Sequence, residues 1–497
     1  MSILVNILAF IAVFLFIVVV HELGHFLFAV LFGVKVHEFA IGFGPAIYKK
    51  KGRKTDFRVN VFPLGGYVRL KGEDPSEEED PDSLYGVSAW KRFLIVLAGP
   101  VFSILAGYLL FILIIGSWGY TPIIIDKVIE NSPAYEAGLQ ANDIVLKLNG
   151  KYIFDPTDMT SIIRTGKPIT MEVLRDGKKI TLSVTPSRTQ KEYYMYLKDI
   201  KGNIEGKVES INNIEFERYM EKFSKEYISI KSEGGELRGL LDSVSVIPER
   251  YAIGIYYGQF SNVFAKDSEL FSKGDILLRV GEIDIQSSND LMDVVTSLSL
   301  KSDELYVTVK NGKVEGVLKP MPEQVTVTFK KVSANVVQEI TVKKDKLLAI
   351  LSTPGIFETK APNLKPQGLE AISLSIARSN RLALYIWKTL PGVFLGRNLQ
   401  EVSGPVGVVQ IIGQAVQFGL ETILTVVAII TINLGIFNLF PLPALDGGRI
   451  IFALIEIISR KKINRNIENL IHTVGFFLLL GFLFFMTFID IGRFFAK

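Results

Sequence analysis

Two histidines and a glutamate interrupt a long apolar run near the start of the chain, in the stretch FLFIVVVHELGHFLFAVLFG (Phe14–Gly33). The run is long enough to cross a bilayer as a helix, since about 20 residues suffice for that. Polar side chains at membrane depth are energetically unfavourable, and they persist mainly where they have partners and a function. The stretch therefore predicts a membrane helix that carries a functional site.

Three further segments are apolar and long enough to span a membrane, so the sequence predicts a polytopic α-helical membrane protein with four transmembrane helices. The first segment lacks the basic start and the small-residue cleavage site of a signal peptide, so we expect it to be retained. The hydrophobic content of 48% over 497 residues agrees with this class. The predicted transmembrane segments are 1–34, 93–118, 416–440 and 467–492.

The charges of the short loops predict the orientation of these helices. YKKKGRK follows the first helix and SRKKINR precedes the last, so both loops should face the cytoplasm. Both termini and the long segment from about 119 to 415 are then expected outside. The net charge of +4 gives no support for a nucleic-acid partner, and the absence of cysteine excludes disulfides and thiolate metal sites.

Two short loop regions flank the membrane segments on the cytoplasmic side. Residues 35–92 contain FAIGFGPAIYKK and TDFRVNVFPLGGYVRL, which predict a cytoplasmic, re-entrant β-hairpin region. The acidic stretch GEDPSEEEDPDS that follows is expected to be a solvated loop. Residues 441–466 combine an LDG motif with the second basic loop.

The long outer segment contains an internal repeat, in which NDIVLKLNGKYI pairs with GDILLRVGEIDI. Both copies resemble α+β PDZ domains of the bacterial periplasmic type, which we expect at 122–188 and 246–346; Asn142 replaces the usual glycine of the first copy. Residues 189–245 either complete one of these modules or form an additional small α+β piece. An amphipathic helix at 367–395 is expected along the outer membrane surface.

The HELGH motif carries the chemistry of the first helix. His21 and His25 are four residues apart, so both imidazoles project from one helix face. Glu22 follows His21 directly and can reach a metal-bound water without binding the metal. This is the arrangement of two zinc ligands and a general base. The alternative, simple core packing, would bury three polar groups at membrane depth without a function.

A catalytic zinc needs a third protein ligand. His37 lies in a loop, and His472 opens the last helix, where a polar cap at the interface is the simpler interpretation. Asp446 follows two prolines that must interrupt the third helix, in IFNLFPLPALDGGRI. At membrane depth such broken backbone is tolerated where it is buried in protein or lines a cavity. Asp446 could instead cap the next helix, and Glu456 is a rival ligand.

With both motifs in place, the chain resembles the site-2 proteases, the intramembrane zinc metalloproteases of peptidase family M50, in particular the RseP-type branch with tandem PDZ domains. HELGH matches the first motif of the family and NLFPLPALDGG the second. GFGP, FPLGGYV, AGP and SGPVGVV extend the resemblance over nearly the whole chain.

The resemblance implies roles for individual residues. His21, His25 and Asp446 would bind Zn²⁺, Glu22 would be the general base, and Asn438 would orient the substrate or the developing oxyanion. The family usually has asparagine three residues after the GP of the second helix. Here that position is Ser103, which weakens the case for a substrate contact there.

Gly65 and Gly66 lie in the second predicted hairpin strand, VNVFPLGGYVRL. An α-helical substrate hides its carbonyl groups in hydrogen bonds, so it must become extended before cleavage. A strand of the hairpin can hold an extended segment by strand addition, which supplies backbone hydrogen bonds without demanding a sequence. We therefore expect both glycines to take part in substrate binding.

The function implied is an intramembrane zinc endopeptidase that hydrolyses a peptide bond within or near the transmembrane segment of a single-pass membrane protein. The expected partners are that substrate, such as an anti-sigma factor or a remnant signal peptide, and the lipid bilayer of the bacterial inner membrane. The PDZ-like pair would either bind carboxyl-terminal peptides or act as a size gate.

Two other functional classes make different demands on the sequence. A membrane scaffold without activity predicts a degraded metal motif, whereas both motifs are complete here. A metal transporter needs polar residues along several helices, and the second helix, FLIVLAGPVFSILAGYLLFILIIGSW, offers almost none.

Overall fold

The computed structural model describes residues 3–74, 76–258, 260–396 and 404–495. It divides into two compact units. We call them the helical unit (Met1–Tyr120 with Lys365–Lys497) and the sheet unit (Thr121–Leu364).

The helices are α1 (Ile3–Leu31), α2 (Ala89–Trp118), α3 (Pro133–Glu136), α4 (Pro156–Ile163), α5 (Phe216–Met220), α6 (Ser288–Ser299), α7 (Lys344–Leu351), α8 (Leu369–Phe394), α9 (Pro405–Phe418), α10 (Leu420–Leu439), α11 (Asp446–Ser459) and α12 (Arg465–Phe495). The strands are β1 (Val36–Lys51), β2 (Asp56–Leu70), β3 (Ile123–Val128), β4 (Ile144–Leu148), β5 (Lys151–Tyr152), β6 (Ile169–Arg175), β7 (Lys178–Val184), β8 (Ser187–Arg188), β9 (Glu192–Gly202), β10 (Val208–Ile211), β11 (Ile214–Glu215), β12 (Glu226–Ser232), β13 (Gly235–Ile247), β14 (Tyr251–Ala252), β15 (Ile255–Gly258), β16 (Phe260–Phe264), β17 (Ile276–Val280), β18 (Ile283–Asp284), β19 (Leu305–Lys310), β20 (Lys313–Leu318), β21 (Gln324–Lys331), β22 (Val336–Lys343) and β23 (Phe357–Thr359).

Four helices of the described ranges are long and apolar enough to cross a membrane, which agrees with the predicted number of transmembrane helices. They are Ile7–Leu31, Ala89–Trp118, Leu420–Leu439 and Arg465–Asp490. The predicted third segment started at 416, but α9 continues to Phe418 and α10 starts at Leu420. Gly419 separates the two helices with φ +98°, a backbone conformation that favours glycine.

Small residues bring the central helices of the helical unit together. A Cβ on Gly107 of α2 would lie 2.3 Å from Ile432 of α10, and one on Gly435 of α10 would lie 2.7 Å from the Pro100 carbonyl oxygen. Membrane helices lack a hydrophobic driving force between them, so such close backbone contact supplies much of their packing energy. The core beside these contacts contains Phe111, Ile114, Ala428, Ile432 and Ile436.

Strands β1 and β2 form an antiparallel hairpin whose register shifts repeatedly along its length. The base of the hairpin packs against α1 and α2 through a cluster of buried side chains. These are Ala29, Val34, Val36, Leu70, Leu84 and Ile95. The outer part is exposed although it is apolar, with Phe43, Ile47 and Phe62 half or more accessible. The hairpin therefore leaves an apolar surface open beside the membrane helices.

The sheet unit contains two modules with the same strand order. In the first module the order is β15-β3-β4-β6-β7, and in the second it is β23-β16-β17-β21-β22. The repeated sequences fall on β4 and β17, which are corresponding central strands. Asn142, which replaces a glycine of the repeat, has φ +73°, and Gly274 has φ +91° at the matching position. Asparagine is among the few residues that tolerate this conformation.

A third module lies between these two in the sequence and has a core of its own. Its sheet has the order β11-β10-β12-β13-β9-β19-β20. Most strands come from residues 192–247, but β19 and β20 come from a hairpin that follows α6. Leu305, Val307 and Val309 of β19 are buried in the same cluster as Met195 and Leu197 of β9.

The predicted module boundaries at 188/189 and 245/246 therefore divide the sheets differently from the structure. Strand β15 falls in the predicted second module, but it pairs with β3 of the first. The chain leaves the first module at β8 and returns at β14, and these two strands pair with each other. Residues 189–250 are thus an insertion into the first module, completed by a hairpin from the second.

Because β19 shares a core with strands distant from it in the sequence, we expect Val307→Ala to destabilise those strands. Val307 is fully buried, so the lost methyl groups should cost about 2 kcal/mol. We expect faster hydrogen exchange in β9, β12 and β13 of the full-length protein. Val337→Ala, at a position 56% exposed, is the matched control. Changes confined to β17, β21 and β22 would contradict a joint module.

Candidate active site

Helix α1 brings His21 and His25 together on one face. Their Nε2 atoms lie 3.3 Å apart, and the His21 side chain is buried. Gly99 of α2 leaves room for the second ring, because a Cβ there would lie 2.2 Å from His25 Nε2. Gly24 of α1 likewise lies against the backbone of Ala98. The AGP motif of α2 thus makes space for a histidine at the helix contact.

The Asp446 side chain lies at the same point, although this residue is more than 400 positions later in the sequence. Helix α10 ends at Leu439, and α11 begins at Asp446 after a loop that we call the LDG loop (residues 440–445). The loop folds back closely on α11, since Cβ atoms on Gly447 and Gly448 would lie 2.0 Å and 2.6 Å from the carbonyl oxygens of Phe440 and Leu442. Both positions must therefore be glycine, because a side chain at either would collide with the backbone of the loop.

The three side chains form a compact group of possible metal ligands. Asp446 Oδ2 lies 3.1 Å from His21 Nε2 and 3.5 Å from His25 Nε2. Zinc bonds of about 2.0–2.1 Å at tetrahedral angles place ligand atoms about 3.3 Å apart. The spacing of these three atoms therefore fits one zinc ion.

The hydrogen bonds of the outer ring nitrogens fix how the imidazoles face this point. His25 Nδ1 donates to the Ile95 carbonyl oxygen at 2.9 Å, which leaves Nε2 as a lone-pair atom in the neutral ring. His21 Nδ1 lies 3.1 Å from Ser103 Oγ. Three electron-pair donors thus converge, and a cation is the group that satisfies them.

Glu22 and Asn438 lie beside the ligand group. Asn438 Nδ2 is 3.4 Å from His21 Nε2, so its amide faces the ligands from α10. Gly66 of β2 packs against α1 next to Glu22: a Cβ on this glycine would lie 3.5 Å from Glu22 Cγ and 2.7 Å from Val18 Cγ1. Gly65 has φ +94° and lies against the Phe43 ring. The hairpin strand therefore borders the site.

Other residues considered at the sequence level lie elsewhere. Glu456, the rival ligand, forms a buried ion pair with Arg92 of α2 and accepts a hydrogen bond from Ile463 N. His37 belongs to β1. His472, interpreted as an interfacial cap, instead accepts a hydrogen bond from the Ala444 backbone N–H in the LDG loop.

The acidic stretch Gly72–Ser83 is not the freely solvated loop that its composition predicted. Glu73 pairs with Arg449 at 2.6 Å, and Lys462 pairs with Glu79 at 2.6 Å. The hydrogen bonds that the Lys71 ammonium donates to the Asp80 and Asp82 carboxylates raise the pKa of Lys71 to about 12. Charged side chains of α11 and of the segment between α11 and α12 thus hold the acidic stretch in place.

Sequence reasoning missed the contacts that orient the ligands. The sequence marked Ser103 only as a departure from the asparagine that the family usually has at this position. In the structure Ser103 is fully buried and lies against His21. Its position on α2, four residues after Gly99, was the available signal, because residues four apart share a helix face. Nothing in the sequence pointed to Ile95, since a backbone carbonyl carries no residue signature.

Comparison with known proteins gives one matching family and several named relatives. The family model described as Peptidase family M50 matches residues 9–482. A Thermotoga maritima protein named "Putative zinc metalloprotease" is 42% identical over 495 residues, covering 97% of this chain and 98% of that protein. The "Regulator of sigma E protease" of Haemophilus influenzae is 26% identical over 509 residues, covering 99% and 100%.

One solved structure that the chain is similar to is a PDZ domain protein from Parabacteroides distasonis. The sequence identity is 9%, and the match covers 49% of this chain and 95% of that chain. Its TM-score of 0.13 is too low to support a conclusion about the fold.

The contact between Ser103 and His21 predicts a loss of zinc affinity in Ser103→Ala. Without the hydroxyl the imidazole is no longer held in its orientation, and such losses typically weaken metal binding about tenfold or more. Competition with a chromogenic chelator would measure the zinc dissociation constant. Ser117→Ala, at an exposed position of the same helix, is the control. Unchanged affinity in Ser103→Ala would show that this contact does not position the ligand.

Proposed function

Because this chain belongs to peptidase family M50, the site-2 protease family of zinc metalloendopeptidases, we propose that it cleaves a peptide bond within or near the transmembrane segment of a single-pass membrane protein. The observation that carries the proposal is the convergence of His21, His25 and Asp446 from helices of an integral membrane protein. A site built on membrane-spanning helices acts on substrates that reach it there.

The proposed reaction needs metal binding, proton transfer and stabilisation of the developing oxyanion, and five residues supply these functions. When bound by His21, His25 and Asp446, zinc would supply Lewis-acid activation of a peptide carbonyl group and of water. Glu22 accepts the proton of the attacking water and later delivers it to the leaving amine. Asn438 donates a hydrogen bond from Nδ2 to the carbonyl oxygen as negative charge develops on it.

The hairpin of β1 and β2 is proposed to hold the substrate. An extended segment that adds to a strand gains backbone hydrogen bonds whatever its sequence. The contact of Gly66 with α1 beside Glu22 supports this role, because it keeps β2 next to the general base. The exposed Phe43 and Phe62 add apolar surface suited to a transmembrane segment.

We propose the bacterial inner membrane as the location, with the site near the cytoplasmic side. The basic residues of 49–54 and 460–465 support cytoplasmic placement of both loops by the positive-inside rule. The termini and the sheet unit would then lie outside. The first and second modules are proposed to be PDZ-like, acting either as peptide receptors or as a size gate.

The substrate class is proposed from the relative named for sigma E regulation. A membrane-bound anti-sigma factor fits a protease that cuts in or near a transmembrane segment. Remnant signal peptides left in the bilayer are also apolar segments that a protease acting within the membrane could cut. Both substrates are single apolar helices that must unwind before cleavage.

The central test compares wild type with Glu22→Gln on a single-spanning model substrate that carries a short outer tail. Removal of the general base should lower the cleavage rate by at least about 100-fold, while zinc is retained. Mass spectrometry of the products would locate the cut, which we expect inside or next to the apolar segment. Zinc content would be measured on the same purified samples.

Two outcomes would contradict the proposal. Equal cleavage by wild type and Glu22→Gln would assign the activity to another protease or to a mechanism without this base. A cut by wild type far from the membrane segment would remove the intramembrane substrate class. Glu209→Gln serves as the matched control variant, since Glu209 is an exposed carboxylate in β10 and belongs neither to the ligand group nor to the hairpin.

The hairpin hypothesis predicts that Gly66→Ala slows cleavage without loss of zinc. The added methyl group would collide with Val18 and with the Ala40 carbonyl oxygen, so β2 must shift away from α1. A displacement of this size typically costs about tenfold or more in rate. Gly116→Ala is the matched control, because a Cβ there meets open space. Wild-type kinetics in Gly66→Ala would argue against a substrate clamp at this strand.

A further inference from the structure

The third metal ligand is held less directly than the first two. His21 and His25 sit within a regular helix, whereas Asp446 is the first residue of α11 and follows the LDG loop. Leu445, at the N-cap, offers no side-chain hydrogen bond to the helix start. Ala444 has φ +72°, a left-handed conformation that is strained for alanine. Contacts from outside the loop must therefore stabilise this conformation.

Helix α12 supplies two such contacts from one face. His472 Nδ1 accepts a hydrogen bond of 2.9 Å from the Ala444 N–H, two residues before Asp446. Three residues further on, Gly475 packs on the loop so closely that a Cβ would lie 2.3 Å from Pro443 Cβ. Residues three apart share a helix face, so α12 holds the loop at two neighbouring points.

The surroundings of His472 indicate which of its nitrogens carries the proton. Because Nδ1 accepts the Ala444 hydrogen bond, the neutral ring carries its proton on Nε2. This atom is buried and has no hydrogen-bond partner among the described residues, as is also true of Glu468 Oε2. Both residues line a cavity of about 20 Å³, together with Glu73, Tyr85, Arg449, Arg465 and Asn469. A cavity of this size and polarity can hold one bridging water.

Two cationic side chains that face the same cavity contact other groups. Arg449 of α11 pairs with Glu73 at 2.6 Å, and Arg465 donates to the Gly72 and Asp74 carbonyl oxygens. His472 connects this group to the LDG loop, because its ring accepts a hydrogen bond from the loop backbone. The His472 ring also disfavours substitution of Gly448 by a residue with a side chain, because a Cβ there would lie 3.0 Å from His472 Cε1.

We propose that His472 is a positioning residue of the metal site, which holds Asp446 in place through the backbone of Ala444. Loss of the Nδ1 acceptor would leave the strained Ala444 conformation without its external hydrogen bond. The Asp446 carboxylate would then reach the histidines in only part of the population, and metal affinity would fall by that fraction. This inference rests on the proposed role of Asp446 as the third ligand.

The test uses full-length protein in detergent and measures the zinc dissociation constant by chelator competition. His472→Leu removes the acceptor and should weaken zinc binding about tenfold or more, the usual effect of losing an outer-shell partner. His472→Asn should stay within about threefold of wild type, because asparagine Oδ1 occupies the place of Nδ1 relative to Cβ. His37→Leu is the matched control for loss of a histidine outside the loop contact.

His472→Gln separates polarity from position and covers a failure of His472→Leu to fold. Glutamine keeps a polar side chain but places its amide near the former Nε2, so we expect weakened zinc binding as in His472→Leu. Thermal unfolding without zinc, measured for every variant, would identify those that are simply unfolded. Rescue by asparagine but not by glutamine would assign the effect to the Ala444 hydrogen bond.

Two results would overturn the inference. Wild-type affinity in a folded His472→Leu or His472→Gln would show that the hydrogen bond does not position the ligand. Weakened binding in His472→Asn equal to that of His472→Gln would assign the effect to the ring itself. Asp446→Ala, measured in parallel, separates the two proposals: undiminished zinc affinity there would refute the ligand set, whatever the His472 variants do.

Discussion

Two imidazoles and a carboxylate converge on one point of the helical unit, with His21 buried and His25 and Asp446 half-buried, and the contacts around them depend on this convergence. Two imidazole nitrogens and a carboxylate oxygen repel one another when no cation lies between them. The hydrogen bond of His25 to the Ile95 carbonyl oxygen keeps the proton on the outer side of that ring, and the Ser103 hydroxyl contacts the outer nitrogen of His21. A cation placed between these atoms would relieve their repulsion, which is why the group is a candidate metal site.

Close backbone approach is the second condition for this geometry. Gly99 leaves space for the His25 ring, the pair Gly447 and Gly448 lets α11 fold back on the LDG loop, and Gly475 lets α12 reach Pro443. A methyl group at any of these positions would move a ligand or its support by a fraction of an ångström or more. The small residues of this protein thus determine the metal site as firmly as its polar residues do.

The sheet unit illustrates how much a repeat in the sequence can reveal. The pairing of NDIVLKL with GDILLRV marked corresponding central strands, because alternating apolar residues and turn residues are local signals. The last strand of the first module, β15, follows an insertion of about 60 residues, and β19 contributes to the core of that insertion from the second module. Local patterns carry no information about such distant pairings, so the module boundaries could not be read from them.

Hydropathy, helical periodicity and short motifs were enough to predict the membrane helices, the HELGH motif as a candidate site, the candidate Asp446 and the family, because all of these are local features of the sequence. Tertiary structure alone decided that Glu456 pairs with Arg92, that Ser103 faces His21 and that His472 contacts the LDG loop. The first two contacts join residues on different helices, and the third joins a helix to a loop; the partners are 28 to 364 positions apart in the sequence. Their partners are chosen by helix packing, and no local pattern records that choice.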